Sequence, residues 1–186
     1  MPILLAEQNE VLHDFTERLD QLGVAYMLTG SVAMMYYVTP RMTADIDIII
    51  ELKRDISTAI ISKFEPDYYI PHGSMRSAIQ LNTMFNMLHE KTLVKVDCVL
   101  KKNDEFQRQA FEHRKKVNFA GFDVSIISAE DLILSKLNWA KTTASEMQLR
   151  DVANLLRSQI DLEYVKMWAV KLETDHTLTG ILESIR

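Results

Sequence analysis

The chain has 186 residues, of which 47% are hydrophobic, and carries a formal net charge of −5 at pH 7 with a pI near 5.5. This size and apolar content predict one globular domain, or one domain with a helical appendage. The acidic balance disfavours a large nucleic-acid surface, and the single Cys98 excludes an internal disulfide and a cysteine zinc cluster. Because there is no membrane-spanning run and no signal segment, we expect a soluble cytoplasmic protein without a membrane partner.

The first part of the chain reads as a helix, a strand, a sharp turn and a second helix. Apolar residues at helical spacing predict an amphipathic helix over Ala6–Leu22, which Gly23 ends. A short strand, Ala25–Thr29, then runs into Gly30 and Ser31. A glycine turn that opens a helix presents free N–H groups, so this pair predicts either a phosphate site or an ordinary turn with an N-cap.

The segment Asp45–Ile50 alternates acid and isoleucine before it becomes wholly apolar. In a strand, successive side chains point to opposite faces, so Asp45 and Asp47 share one face. Two carboxylates on one face of an apolar strand repel each other and are costly to desolvate, and a divalent cation is the usual compensation. Arg41, just before this strand, fits either a contact with a nucleotide phosphate or a surface ion pair.

The middle of the chain alternates further helices and strands. The patterns predict a helix over Lys53–Phe64 with Ile56, Ala59, Ile60 and Phe64 inward, a short strand Tyr68–Ile70, a loop His72–Ser74, and a helix from Ser74 to Leu81. They then predict a hairpin of Met84–Leu88 with Leu93–Leu100, a helix Asp104–His113, and a strand pair over Lys115–Ile127 broken at Gly121. His72, His89 and His113 lack metal-ligand spacing.

A third acid, Asp97, lies in the second arm of the predicted hairpin, on the same face as Lys95. It is either an edge-strand acid that faces water or part of a site. We prefer the site, because Val96, Cys98 and Val99 surround it with apolar residues.

The last third of the chain is helical. A capping box, Ser128 with Asp131, opens one helix, and further helices are predicted over Ser145–Ser158, after Asp161, and over Thr177–Ile185. We therefore expect a core over residues 1–127 and a helical region, residues 128–186, that packs on this core.

The acidic residues and the glycine turn form an ordered set. Thirteen residues separate Ser31 from Asp45, Asp47 follows two residues later, and Asp97 lies further on between apolar residues. This set resembles the nucleotidyltransferase superfamily, typified by DNA polymerase beta and the kanamycin nucleotidyltransferases. The resemblance implies an α+β fold: a small mixed sheet with flanking helices, followed by a C-terminal helical bundle.

The same resemblance implies a reaction and a role for each residue. The reaction is the magnesium-dependent transfer of NMP from an NTP to an acceptor hydroxyl, with release of pyrophosphate. Asp45 and Asp47 would hold two Mg²⁺ ions, and Asp97 would complete the site of the catalytic ion and accept the acceptor's proton. Gly30 and Ser31 would hold the terminal phosphates through backbone N–H groups.

A second resemblance covers the helical part. Ser128–Ile133 with Lys136, followed by Ser145–Val152, is similar to the helical half of bacterial stand-alone nucleotidyltransferases, such as abortive-infection toxins and minimal nucleotidyltransferases of toxin–antitoxin pairs. It implies that Lys136, Arg150 and Asp151 face the nucleotide. Lys136 and Arg150 fit a solvated helix face equally well.

Three functions remain open at this point. The first is the enzyme, with a protein, a tRNA or a small molecule as acceptor. The second is a non-catalytic nucleotide-binding or toxin–antitoxin module that keeps the fold and binds a cognate protein partner. The third, a plain α/β domain with an accidental acidic strand, requires the ordered set to be coincidental.

Overall fold

A computed structural model of the chain describes residues 6–39, 43–52 and 56–185. Arg41 and the predicted helix start at Lys53 lie outside the described residues. The chain divides into two compact units, one of residues 1–36 with 40–127 and the other of residues 37–39 with 128–186. No helix in the described ranges is long and apolar enough to cross a membrane.

The first unit is built on one mixed sheet. In the described part of the chain its strands are β1 Tyr26–Thr29, β2 Ile46–Ile50, β3 Tyr68–Tyr69, β4 Met84–His89, β5 Lys95–Leu100, β6 Lys115–Phe119 and β7 Phe122–Ile126. They lie in the order β3-β4-β5-β2-β1-β7-β6. The pairs β2–β5 and β1–β7 are parallel, and the other neighbours are antiparallel. The predicted mixed sheet is confirmed, and β5 lies inside it rather than at an edge.

The central strands follow the pattern that the sequence predicts. Ile46 and Ile48 of β2 are fully buried, while Asp47 between them is partly exposed. Val96 and Cys98 of β5 are equally buried, and burial raises the pKa of the Cys98 thiol. The apolar face is therefore the core face, and the acids lie on the other face.

Five helices accompany this sheet in the described residues. They are α1 Ala6–Gln21, α2 Gly30–Tyr37, α3 Ser57–Phe64, α4 His72–Leu81 and α5 Glu105–Glu112. The last residue of α2, Tyr37, is assigned to the second unit. Of the five residues predicted to form the apolar stripe of α1, Val11, Leu12, Phe15 and Leu19 are almost wholly buried. The fifth, Leu22, lies past the end of the helix and is only partly buried.

Two predictions about this region were wrong. Ala59 is exposed, because α3 turns Ile60 and Phe64 inward and a residue one position away lies on another side of the helix. His72 opens α4 instead of a loop. The helix starts directly after Pro71, whose carbonyl oxygen accepts the Met75 N–H at 2.9 Å.

The second unit consists of four helices among the described residues: α6 Ala129–Thr143, α7 Glu146–Leu155, α8 Leu162–Lys171 and α9 Asp175–Ser184. Ser128 caps α6 as predicted, since its Oγ accepts the Asp131 N–H at 3.0 Å and donates to Asp131 Oδ2 at 2.7 Å. Val152, Leu155, Val165 and Trp168 form part of its core. The predicted packing of residues 128–186 on the core stays a prediction.

Candidate functional site

The turn after β1 brings the start of α2 against Asp47. Asp47 lies opposite Thr29 in the β1–β2 register, and Gly30 follows Thr29 with a φ of +66°. A Cβ atom at Gly30 would lie 2.0 Å from Asp47 Oδ2 and 2.8 Å from Asp47 Cβ. Position 30 therefore requires glycine for two reasons: its backbone conformation is left-handed, and the Asp47 side chain occupies the space that a Cβ would need. Ser31, the next residue, is buried.

The parallel pairing of β2 with β5 joins the acidic residues. Asp47 and Asp97 are register partners, so their side chains leave the same face of adjacent strands, which lie about 4.8 Å apart. Asp45 lies two residues before Asp47, on the same face. Three of the predicted site acids and the Gly30–Ser31 turn thus belong to one surface of the first unit.

Lys95 lies among these acids. Its Nζ is 3.1 Å from Asp45 Oδ2 and 3.0 Å from Asp97 Oδ2. The parallel β2–β5 register explains these contacts. Two residues before the Asp47–Asp97 pair, the same register places Asp45 beside Lys95. The hydrogen bond to Asp97, and a second one to Asp45, raise the pKa of Lys95, which keeps its charge at neutral pH.

The acids fit a divalent cation in their chemistry. Hard cations prefer carboxylate oxygens, and Asp97 Oδ1 is buried without a hydrogen-bond partner among the described residues. No hydrogen bond within these residues uses the lone pairs of this oxygen. In the described ranges, however, no three His, Cys, Asp or Glu side chains are arranged to hold a metal ion. The ammonium group of Lys95 bridges two of the three acids instead.

Lys136 and Asp151 are brought together in the second unit. The Nζ of Lys136 lies 2.7 Å from Asp151 Oδ2 and 3.0 Å from Gln148 Oε1, and both charged side chains are about 5% exposed. This buried pair ties α6 to α7. Arg150 lies at the surface, 80% exposed, with its Nη2 3.5 Å from Glu146.

Sequence reasoning missed the part that two residues play in this surface. Strand alternation places Lys95 on the face of Asp97 but does not predict its contact with Asp45. Asn86 was given no role, and it lies opposite Asp97 in the antiparallel β4–β5 pair. The alternation of residues in the β4–β5 hairpin could have predicted the position of Asn86. The Lys95–Asp45 contact depends on the long-range register of β2 and β5.

A mixed sheet with a glycine-serine turn and three acids on neighbouring strands defines the nucleotidyltransferase class of fold. Solved structures share it. An antigenic nucleotidyltransferase-like protein from Paracoccidioides brasiliensis is similar at a TM-score of 0.58 and 16% identity, over 97% of this chain and 94% of that chain. The antibiotic-resistance factor ANT(2'')-Ia is similar at a TM-score of 0.59 and 13% identity, over 98% and 100%.

A third solved structure, the lincosamide antibiotic adenylyltransferase LnuA bound to lincomycin, is similar at a TM-score of 0.54 and 18% identity, over 80% of this chain and 96% of that chain. At these identities the likeness concerns the fold. No curated protein matches the sequence. The family model described as "Nucleotidyltransferase of unknown function" matches residues 4–185, and the chain belongs to this family.

Proposed function

We propose that the protein is a magnesium-dependent nucleotidyltransferase that moves NMP from an NTP to an acceptor hydroxyl and releases pyrophosphate. One observation carries the proposal. Asp47 and Asp97 are register partners on parallel strands, and Asp47 also lies against the Gly30 turn. This arrangement supports one site in which the carboxylates and the N-terminal end of α2 face the same ligand.

Each of the three acids has its own role in the proposed reaction. Asp45 and Asp47 would hold the metal ions, and Asp97 would complete the site of the catalytic ion. Bound Mg²⁺ neutralises triphosphate charge and makes a hydroxyl easier to deprotonate. The acceptor oxygen then bonds to the α-phosphorus, the bond from that phosphorus to the β-phosphate oxygen breaks, and pyrophosphate leaves. Asp97 is proposed to take the hydroxyl proton, because it lies beside Asp47 in the β2–β5 register and a carboxylate within hydrogen-bond reach of the acceptor can act as its general base.

The Gly30–Ser31 turn is proposed to bind the terminal phosphates. The first N–H groups of a helix have no partner within the helix, and its positive dipole end favours an anion. The proximity of Asp47 to the same turn brings the metal ligands and the phosphate donors together.

The parts of Lys136, Arg150 and Asp151 in nucleotide binding stay predictions. Lys136 already donates to two oxygen acceptors of its own unit. Arg150, with its exposed guanidinium, is the better candidate of the two cations for a phosphate contact.

The acceptor is proposed to be a small hydroxyl compound. Similar solved structures support this choice, since one holds ANT(2'')-Ia in complex with adenylyl-2''-tobramycin and another holds LnuA bound to lincomycin. They also favour ATP as the nucleotide. A protein side chain and a tRNA end are the competing acceptors, and a cognate protein partner is compatible with each of them.

Label transfer tests this function. The protein is incubated with Mg²⁺ and ATP labelled at the α-phosphate, and separately with aminoglycosides, lincosamides, tRNA and the proteins of a cell extract. We expect pyrophosphate release and label on one acceptor class. Asp97→Asn should lower transfer at least about a hundredfold, because general base catalysis contributes about that much or more. Asp123→Asn, an exposed change on β7, is the matched control.

Two results would count against the proposal. Transfer that survives Asp97→Asn at the wild-type rate removes the proposed base. Tight NTP binding without pyrophosphate release in any mixture favours the non-catalytic module.

A further inference from the structure

Lys95 is the only lysine or arginine in the described residues that contacts two of the site acids. It bridges Asp45 and Asp97 at 3.1 and 3.0 Å, and its side chain is 37% exposed. The two acids differ in their surroundings, since the Asp45 side chain is 44% exposed and that of Asp97 is 12% exposed. The lysine can therefore leave into solvent, whereas Asp97 cannot.

The charges of the site explain why a cation lies there. Asp45, Asp47 and Asp97 occupy one face of two adjacent strands, and their carboxylates repel one another. Lys95 offsets one of these three negative charges. The oxygens it contacts, Oδ2 of Asp45 and Oδ2 of Asp97, are carboxylate oxygens of the kind that a divalent cation needs.

We propose that Lys95 is a built-in counter-cation of the acidic site, which holds Asp45 and Asp97 until a divalent cation displaces it. The proposal rests on the proposed function, because it takes these acids as metal ligands. Lys95 therefore has a positioning role, because its ammonium group keeps the carboxylates of Asp45 and Asp97 together. Its positive charge also weakens the binding of a metal ion when no nucleotide is bound, compared with the same acids without the lysine.

The chain provides a matched control for Lys95. Lys101 follows β5, six residues further on, and pairs with Glu51, which follows β2. Lys101 lies four residues beyond Asp97, and four strand residues span about 13 Å, which is more than the Debye length of about 8 Å at physiological salt. Lys101→Met and Lys95→Met change the net charge equally, and each breaks a lysine–carboxylate pair between β5 and β2, at opposite ends of these two strands.

Metal binding without nucleotide is the direct test. Mn²⁺ takes the same oxygen ligands as Mg²⁺, and the free ion is counted by electron paramagnetic resonance. Mn²⁺ is titrated into the wild type, Lys95→Met, Lys95→Gln and Lys101→Met, and circular dichroism checks that each variant is folded. Removing a positive charge a few ångströms from a divalent ion near a wet surface should tighten Mn²⁺ binding about tenfold. Lys101→Met should bind like the wild type.

Each result has one meaning. Tighter Mn²⁺ binding by both Lys95 variants, lost when Asp45→Asn and Asp47→Asn are added, supports the proposal. Equal binding by the wild type and the Lys95 variants overturns the role of Lys95 and leaves the proposed function standing. If neither the wild type nor a Lys95 variant binds Mn²⁺ at millimolar concentration, both proposals fall.

Discussion

Gly30→Ala perturbs the turn on which the site depends, and Gly23→Ala is its matched control. The two glycines have nearly the same backbone conformation, with φ of +66° and +65°. An added Cβ at Gly23 meets nothing within 4 Å, whereas at Gly30 it meets Asp47 Oδ2 at 2.0 Å and Asp47 Cβ at 2.8 Å. The carboxylate can rotate away, but the Cβ of Asp47 moves only with its strand.

The structure sets the size of the effect. The left-handed conformation alone costs an L-residue about 1–2 kcal/mol, and this applies to both variants. Overpacking adds about 1–3 kcal/mol, and this applies to Gly30→Ala alone. We therefore expect Gly23→Ala to lower the free energy of unfolding by about 1–2 kcal/mol and Gly30→Ala by about 2–5 kcal/mol. Gly30→Ala combined with Asp47→Ala should recover part of the difference, because only the Cβ contact remains.

The assay must report on the unit that contains the turn. Trp139 and Trp168 both belong to the second unit, so tryptophan fluorescence follows that unit. Urea unfolding of the first unit is followed by far-ultraviolet circular dichroism and by hydrogen exchange of β1 and β2 amides. Equal losses for Gly30→Ala and Gly23→Ala would refute the contact between the turn and Asp47.

Three further predictions concern groups away from the acidic site. Lys136→Met leaves Asp151 charged and buried, so it should lower the free energy of unfolding by about 3–5 kcal/mol, measured by urea unfolding with tryptophan fluorescence. Lys136→Met with Asp151→Leu should regain most of this loss. A small loss for the single change would contradict the buried pair. Burial, with a hydrogen bond to Asp14, raises the pKa of Tyr68. The neutral phenol therefore contributes its full stabilisation of the fold below about pH 10, and this contribution is lost progressively as the pH rises further. Urea midpoints should fall less between pH 10 and 11 in Tyr68→Phe than in the wild type, and an equal fall would exclude this contribution. Cys98 is fully buried, so a thiol reagent should label it only after unfolding, and fast labelling of the native protein would contradict the β5 core.

Local patterns predicted most of the fold. The alternation of β4 and β5 gave the hairpin and put Asp97 and Lys95 on one face, because a strand repeats every two residues. Gly30 gave the turn, since its neighbours read as a strand on one side and a helix on the other. Both features depend on residues close together in the sequence.

What escaped prediction depends on contacts between distant segments. The register that pairs Asp47 with Asp97 joins strands fifty residues apart, and with it comes the bridge from Lys95 to Asp45. No local pattern fixes such a register. Lys136 shows the same limit, because the sequence leaves open whether it faces a nucleotide or solvent and does not predict its burial against α7.

The start of α4 was mispredicted for a local reason. Gly73 and Ser74 read as a loop and a cap, since glycine is a poor helix former. The helix nevertheless begins at His72, and Met75 in its first turn is fully buried. Burial of this side chain outweighs the local preference, as tertiary contacts commonly do.

Calorimetric titration with Mg²⁺-ATP tests the central claim most directly. It compares the wild type, Asp45→Asn with Asp47→Asn, and a control that removes two exposed charges of the same unit, Asp123→Asn with Glu112→Gln. The account predicts binding by the wild type and the control, and none by the Asp45/Asp47 variant. Binding of Mg²⁺-ATP that is equally strong in all three proteins would contradict it, because the acids on β2 would then not be the metal–nucleotide site.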